Sequence, residues 1–447
     1  MARLKESVIN AFAFGTIGFV LMMSLISSYY VYFLTDVVGI GAAVVGSLLL
    51  VVRIADTISV VVSGGIVEKI SLRWGKYRSW LLVAPPIAAC FAILMFTNLA
   101  LPPGIKPVFM GCMYVLAHMF TNLSEVSQLA LYPVIATTTV DRVRLSCRRV
   151  QVMSAAQILF GLITMPLIIA LGGGSEARGF LLTISIFAVL QIAGFWLMAY
   201  AVRGFNTEAA AGEKRHVVTI REMAGQFFRD RPLVVLVLAE ISRNTAYTIV
   251  FSFAVYYFKY VARDMLGTTY FYICLSTGAL LGSLLGQPLA RSFSKKATWA
   301  IGMGISCVSM LAAWRFAGQT SVFILFSALF SVGNSVVQNI SSVLFSDVSD
   351  FAEWKTGKSA KGIIMSMNSI PVKISIALAG GLAGYSLALV GYEANKEPTM
   401  AVINAISSLT TLIPAFLALF SVLIFLFYNL TDEQLARIQR QEAVSGE

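Results

Sequence analysis

The stretch LLLVVRIADTISVVVS, residues 48–63, places Arg53 and Asp56 in the middle of an otherwise apolar run. In a soluble protein this segment would be a core helix whose two charges are buried at a large desolvation cost. In a bilayer the same two residues are ionisable groups inside hydrocarbon, where each is costly unless it is paired or hydrated. The composition of the rest of the chain decides between these interpretations.

The chain has too little polar surface for a soluble protein. Of its 447 residues, 58% are hydrophobic and only 12% are charged, which cannot cover a soluble globule of this size. The charge-free runs at 11–34, 179–202 and 401–430 each exceed the roughly 20 residues that a helix needs to cross a bilayer. Strands of a membrane barrel would alternate polar and apolar residues. The sequence therefore predicts an all-α integral membrane protein.

Twelve apolar segments are candidates for membrane-spanning helices in two six-helix pseudo-repeat bundles. The predicted spans are 9–34, 41–66, 79–99, 107–136, 147–172, 179–202, 233–258, 265–290, 298–317, 321–346, 362–390 and 401–429. The predicted domains are an N-terminal bundle (1–202), a cytoplasmic middle loop (203–232), a C-terminal bundle (233–430) and a cytoplasmic tail (431–447). The basic loops LRWGKYRSW (72–80) and RSFSKKATW (291–299) stand at equivalent places in the two halves, which suits an internal duplication.

Lys and Arg are concentrated on one side of these spans. With both termini in the cytoplasm, 24 of the 33 Lys and Arg lie in cytoplasmic segments and six lie in outer loops. Cytoplasmic loops of membrane proteins carry this excess. The sequence therefore predicts a multi-pass protein of the cell (inner) membrane with both termini cytoplasmic. Anchoring to the cytoplasmic leaflet explains the net charge of +11, and no nucleic-acid partner is expected.

Six acidic or basic residues lie well inside the predicted spans, away from their ends, and such groups are functional candidates. They are Arg53, Asp56, Glu125, Glu240, Arg243 and Lys373. Polar residues follow them at helical spacing, so that five spans each carry a polar stripe. This pattern predicts a hydrated central cavity.

Each candidate has an alternative structural interpretation. Asp56 could pair with Arg53, but it shares a helix face with Ser59 and Ser63, a pattern typical of ion ligation by oxygen that favours a functional role. Glu240 and Arg243 are one turn apart on one helix and could simply neutralise each other.

Two further polar residues raise the same question. Lys373 lies too deep in its span to reach the interface, beside Pro371, which favours a functional role. His118 could carry a proton or be an interior residue with a local hydrogen bond. The tyrosines Tyr29, Tyr30 and Tyr32 stand at the outer end of the first span, where an interfacial aromatic belt is expected.

The sequence shows no motif for an enzyme or a cofactor. It contains two histidines, five cysteines and no phosphate loop or nucleotide fingerprint. We therefore predict no enzyme activity and no cofactor beyond a coupling proton or sodium ion. The expected partners are a small-molecule substrate, the coupling cation and the lipid bilayer, with the protein as a monomer. A membrane enzyme using His118 and Glu125 as acid and base stays the remote alternative.

Four motifs resemble one transporter family. RIAD (53–56), RWGKYRSW (73–80), RLSCRR (144–149) and above all SDVSDFAEWKTGKSAKG (346–362) occur in the family's order. By these motifs the chain resembles the glycoside–pentoside–hexuronide cation symporters, typified by melibiose permease. The resemblance implies the twelve-helix fold of the major facilitator superfamily.

The resemblance also implies roles for individual residues. Asp56 matches the family's first cation-site carboxylate, supported here by Arg53 and Ser59. Glu125 stands where members that carry sugars have an Asp that accepts sugar hydroxyls. Arg149 matches an inward arginine of the fifth span, and Lys373 matches a lysine near the sites.

Four positions depart from the family pattern. The second cation-site Asp is Val60 here and the sugar-holding Asp of the first span is Val20, while two expected aromatic residues are Leu129 and Gln338. A single carboxylate can carry a proton, whereas sodium prefers several oxygen ligands, so we predict proton rather than sodium coupling. The predicted substrate-binding residues are Glu125, Asn122, Lys373, Arg149, Gln338 and His118.

The predicted function is cation-coupled symport of a small solute, such as a sugar or glycoside, by alternating access. The alternative is a carrier or uncoupled facilitator of a non-sugar amphipathic solute. Loop charges of opposite sign predict a cytoplasmic gate. Its residues would be Arg73, Lys76, Arg78, Asp347, Asp350 and Glu353.

Overall fold

A computed structural model gives the fold of most of the chain. It describes residues 4–70, 72–136, 139–203, 205, 230–316, 318–356, 364, 367–394, 396–430 and 434. Most of the predicted middle loop, nearly all of the predicted tail and the side chain of Glu353 lie outside the described residues.

Helices occupy all twelve predicted positions, and no strand occurs in the described part of the chain. The helices are α1 Glu6–Val37, α2 Ala42–Lys69, α3 Arg78–Met95, α4 Lys106–Ile135, α5 Thr139–Gly172, α6 Glu176–Ala201, α7 Arg231–Val261, α8 Gly267–Ser292, α9 Lys295–Arg315, α10 Thr320–Thr356, α11 Ser369–Leu389 and α12 Met400–Phe425. The prediction of an all-α membrane protein is confirmed.

Eleven of these helices are long and apolar enough to cross a membrane within the described residues. The remaining one is α4, whose 30 residues span about 45 Å at the helical rise. Its length is therefore sufficient, and its polar residues His118, Asn122 and Glu125 make it less hydrophobic. These polar residues lower the hydropathy of α4, and they also make α4 a candidate for the functional site.

The first helix of each half ends in the same irregularity. A π-helical turn closes α1 at Phe33–Val37, and another closes α7 at Tyr257–Val261. Such turns are rare and are commonly found at functional sites. Their equivalent position in the two halves agrees with the predicted duplication.

The described chain forms two compact units. The first comprises Met1–Arg215, Asp264–Ile273 and Gly384–Thr399, and the second comprises His216–Arg263, Cys274–Ala383 and Met400–Glu447. The predicted domain boundaries stay a prediction. In the first unit α4 packs against α2 and α3, while α6 packs against α1, α3 and α5.

The tyrosines at the end of α1 do not form the predicted aromatic belt. Tyr29, Tyr30 and Tyr32 are at most 2% exposed. The Tyr30 hydroxyl donates to the carbonyl oxygen of Met110 at 3.1 Å, and the Tyr32 hydroxyl donates to the Glu176 carboxylate at 2.6 Å. The prediction was wrong because α1 is enclosed by other helices, so its end faces protein on most sides.

In the second unit, α9 is held by a close aromatic and backbone contact. Trp299 stacks on Phe425 of α12 with ring centroids 4.1 Å apart. One turn further along α9, a Cβ built on Gly302 would lie 2.7 Å from the carbonyl oxygen of Gly333 in α10. A side chain at Gly302 would therefore have to displace the backbone of the neighbouring helix.

This contact predicts different outcomes for two glycines of α9. Gly302→Leu should lower the melting temperature in detergent by roughly 5 °C, because overpacking costs about 1–3 kcal/mol. Gly304 has no atom within 4 Å of a built Cβ, so Gly304→Leu is the matched control and should leave the melting temperature unchanged or raised. Unfolding of both variants is measured by tryptophan fluorescence. Equal melting temperatures for the two variants would contradict the packing described here.

Candidate functional site

Asp56 of α2 lies in a buried polar cluster with Ser59 and Asn122. Their exposed fractions are 6%, 6% and 9%. The Asn122 side-chain amide, on α4, donates to Asp56 Oδ1 at 3.0 Å and to the Ser59 hydroxyl at 2.8 Å. Two of the three residues were predicted for coupling and the third for substrate binding, and the structure brings all three together.

The local helix geometry explains why these side chains meet. Asp56 and Ser59 are three residues apart, so they lie on one face of α2. The Ser59 hydroxyl donates to the Asp56 carbonyl oxygen at 2.8 Å and approaches its carboxylate at 3.4 Å. One turn further, the Ser63 hydroxyl donates to the Met119 carbonyl oxygen of α4 at 3.3 Å. The serine stripe of α2 thus faces α4.

Arg53 contacts an aromatic ring on α4. Its guanidinium carbon lies 5.0 Å from the centroid of the Tyr114 ring, within the range of a cation–π interaction. Arg53 is half-buried, whereas Tyr114 is fully buried. The cation one turn before Asp56 is therefore held by α4 as well, close to the buried cluster.

His118 stacks on the same tyrosine. The ring centroids of His118 and Tyr114 are 3.9 Å apart with an angle of 19° between the planes. Nδ1 of His118 lies 3.0 Å from the Tyr114 carbonyl oxygen, so Nδ1 must carry a proton to make this hydrogen bond. This local bond agrees with the interior-histidine interpretation and leaves Nε2 as the second polar atom of the ring.

Glu125 and Arg149 lie elsewhere in the first unit. Glu125 is half-buried on α4, three residues beyond Asn122 and hence on a neighbouring part of the same face. Arg149 is half-buried on α5, and its guanidinium carbon lies 5.7 Å from the centroid of the Tyr132 ring of α4.

The other predicted substrate residues belong to the second unit. Lys373 is half-buried on α11 and Gln338 is exposed on α10. Their convergence with Glu125 on one cavity stays a prediction.

Glu240 and Arg243 form the pair that the sequence offered as a neutralising alternative. Arg243 Nη2 lies 2.8 Å from Glu240 Oε2, and both side chains are at most 4% exposed. Arg243 Nη1 also donates to the Asn334 side-chain oxygen of α10 at 2.7 Å. The pair is confirmed, and its connection to α10 was not predicted because no spacing along the sequence reveals it.

Two of the predicted gate residues, Arg78 and Asp347, each have a partner within their own unit. Arg78 Nε donates to the Ala199 carbonyl oxygen at 2.8 Å. Lys295 forms an ion pair with Asp347 at 2.5 Å. Arg73 is exposed, while Lys76 and Asp350 are half-buried. Their closing of a cytoplasmic gate stays a prediction.

Comparison with known proteins identifies the class. Residues 11–432 match the family described as MFS/sugar transport protein. The chain is 27% identical over 431 residues to the isoprimeverose transporter of Lactiplantibacillus pentosus, covering 95% of this chain and 89% of the relative. It is also 27% identical to an inner membrane symporter, YicJ, of Escherichia coli (strain K12), covering 93% of this chain and 90% of the relative.

A solved structure shows the same fold. The crystal structure of a D-xylose-proton symporter superposes with a TM-score of 0.67 at 16% identity, covering 95% of this chain and 98% of that one. Both the family and this structural neighbour are transporters, which confirms the prediction that the chain is not an enzyme. The chain belongs to the MFS/sugar transport family and has the fold of the major facilitator superfamily, which confirms the resemblance to the glycoside–pentoside–hexuronide symporters that the motifs indicated.

Proposed function

We propose that this transporter carries a sugar or glycoside into the cell together with a proton, and that Asp56 is the proton-binding group. The observation that carries the proposal is the buried cluster in which Asn122 and Ser59 surround the Asp56 carboxylate. The sugar class is supported by the family description and by the relative named as an isoprimeverose transporter. We further propose a monomer in the inner membrane with both termini cytoplasmic.

The cluster favours a proton over sodium as the coupling ion. Asn122 presents N–H groups to Asp56 Oδ1 and to Ser59 Oγ. These donors stabilise a carboxylate, but they occupy positions where a sodium ion would need oxygen ligands. The next turn of α2 carries Val60 rather than a second carboxylate. One carboxyl group is sufficient to bind one proton.

Protonation of Asp56 would lower the free energy needed to enclose its side chain in the protein interior during the transport cycle. A charged carboxylate in a low-dielectric interior is costly even when hydrogen-bonded, and a neutral carboxyl is much less so. The protonated carrier can therefore close over its cargo more readily than the charged one. Coupling follows if solute binds well only when Asp56 is protonated.

Helix α4 offers the physical link between the two sites. Asn122, which bonds Asp56, and Glu125, the proposed solute-binding carboxylate, are three residues and about 4.5 Å of helix rise apart. Solute held by Glu125 would restrain the face of α4 that supplies the donor to Asp56.

Transport assays in liposomes test the proposal directly. Counterflow with labelled sugars, glycosides and organic acids would identify the solute. An inward proton gradient without sodium should then drive its accumulation, and a sodium gradient at constant pH should not. Strict sodium dependence would overturn the proton proposal, and equilibration without accumulation would indicate an uncoupled facilitator.

Asp56→Asn should abolish accumulation driven by the proton gradient and keep solute exchange, because the amide retains the polar contacts but cannot bind the proton. Asp264→Asn is a matched control, since Asp264 is exposed in the loop before α8. Uptake measured with and without the gradient separates the two activities. Normal accumulation by Asp56→Asn would exclude the proposed role.

Glu125→Gln should weaken solute binding more than it weakens coupling, since a carboxylate accepts sugar hydroxyls more strongly than an amide does. The expected loss of affinity is roughly tenfold, given the strength of hydrogen bonds to charged groups. Glu393→Gln is the matched control, because the Glu393 side chain is 63% exposed. Unchanged affinity of Glu125→Gln in calorimetry would place the solute elsewhere.

A further inference from the structure

One end of the first unit contains segments from late in the chain. Asp264–Ile273, at the start of α8, and Gly384–Thr399, at the end of α11, belong to the same compact unit as α1 to α6. This end faces outward in the orientation proposed above and is called the outer side. Three separate contacts attach the late segments there.

The first contact is a hydrogen bond between Asp36 and Tyr392. The Tyr392 hydroxyl donates to Asp36 Oδ2 at 2.6 Å across 356 residues of sequence. The Thr35 hydroxyl donates to the same oxygen at 2.6 Å. Asp36 is 4% exposed and Tyr392 is 9% exposed. A hydrogen bond to a buried carboxylate is stronger than one between neutral groups, so this contact contributes to holding the segment in place.

The second contact is a close crossing of α2 and α11. A Cβ built on Gly46 would lie 3.1 Å from Cα of Gly384, and one built on Gly384 would lie 2.5 Å from the Ala42 carbonyl oxygen. Beside the crossing, the hydroxyl oxygens of Ser47 and Tyr385 are 2.8 Å apart. Only glycine at both positions allows the two backbones this approach.

The third contact joins α5 to α8. A Cβ built on Gly161 would lie 2.9 Å from the Ile273 amide nitrogen. The Tyr272 ring centroid lies 5.4 Å from that of Phe160 and 6.0 Å from that of Tyr29. This contact consists mainly of aromatic rings and backbone, whereas Asp36 and Tyr392 provide a buried hydrogen bond to a carboxylate.

We infer that the hydrogen bond between Asp36 and Tyr392 is a latch that holds the outer side closed. The latch keeps α2 and α11 in contact at the crossing of Gly46 and Gly384. Opening to the outside would separate Gly384–Thr399 from α1 and α2 and expose the Asp36 carboxylate to water. The balance between closed and open states then depends on this hydrogen bond and on the absence of side chains at the crossing.

The latch is connected to both proposed binding sites by continuous helices. Lys373 and Gly384 are both on α11, and their separation of eleven residues is about three turns, or about 16 Å. Asp56 and Gly46 are likewise both on α2. In this proposal, a movement of either helix at its binding site would reach the crossing along that helix. The role of the latch in transport rests on the proposed function. The contacts that form the latch can be tested without solute.

The test compares distances across the outer side with electron paramagnetic resonance. Spin labels are attached at Gly104→Cys, in the exposed loop before α4, and at Glu397→Cys, in the exposed segment before α12, with the native cysteines replaced by serine. Tyr392→Phe should raise the open, long-distance population relative to the closed one by roughly tenfold, as expected for loss of a hydrogen bond to a charged group. Tyr270→Phe is the matched control, because Tyr270 is 64% exposed.

A second variant tests the crossing of α2 and α11 at Gly46 and Gly384. Gly384→Val should hold the protein in the open state, because its side chain would meet the backbone of α2. Unchanged distances in both Tyr392→Phe and Gly384→Val would overturn the latch. Because no solute or ion gradient is present, the result is independent of the transport assays. A wild-type protein that moves no solute would refute the proposed function and leave the latch standing.

Discussion

The structure depends on the cost of placing a carboxylate away from water inside a membrane protein. Asp56 is surrounded by donors from Ser59 on its own helix and from Asn122 on α4. Glu240 is paired with Arg243, which also bonds Asn334 of α10. In both units a buried acid thereby ties neighbouring helices together. The polar side chain of Asn122, which makes one of these contacts, also helps to explain why α4 is less apolar than the other spans.

Positions of the helices could be predicted because the thickness of the hydrocarbon layer imposes their length. Helical periodicity also showed that Asp56 and Ser59 share a face. The donor Asn122 could not be assigned to Asp56 from sequence, since that requires knowing that α2 packs on α4. The family resemblance predicted the role of Asp56. It did not predict that Asn122 donates a hydrogen bond to Asp56 or that Arg53 contacts the ring of Tyr114.

Failures of prediction have a common cause. The rule that places tyrosines in an interfacial belt assumes that the end of a helix faces lipid, and Tyr29, Tyr30 and Tyr32 instead face other helices. Likewise, Asp36 was not singled out from the sequence, because its partner Tyr392 is 356 residues away. Contacts of this kind arise from the arrangement of helices, which composition and periodicity do not contain.

Proton binding by Asp56 during solute binding is the central claim of this account. It is tested most directly by calorimetry in two buffers with different enthalpies of ionisation, using the solute identified by counterflow. At a pH where free Asp56 is charged, the wild-type protein should take up close to one proton for each solute bound, and Asp56→Asn should take up none. Solute binding without proton uptake by the wild type, or equal uptake by Asp56→Asn, would contradict the account.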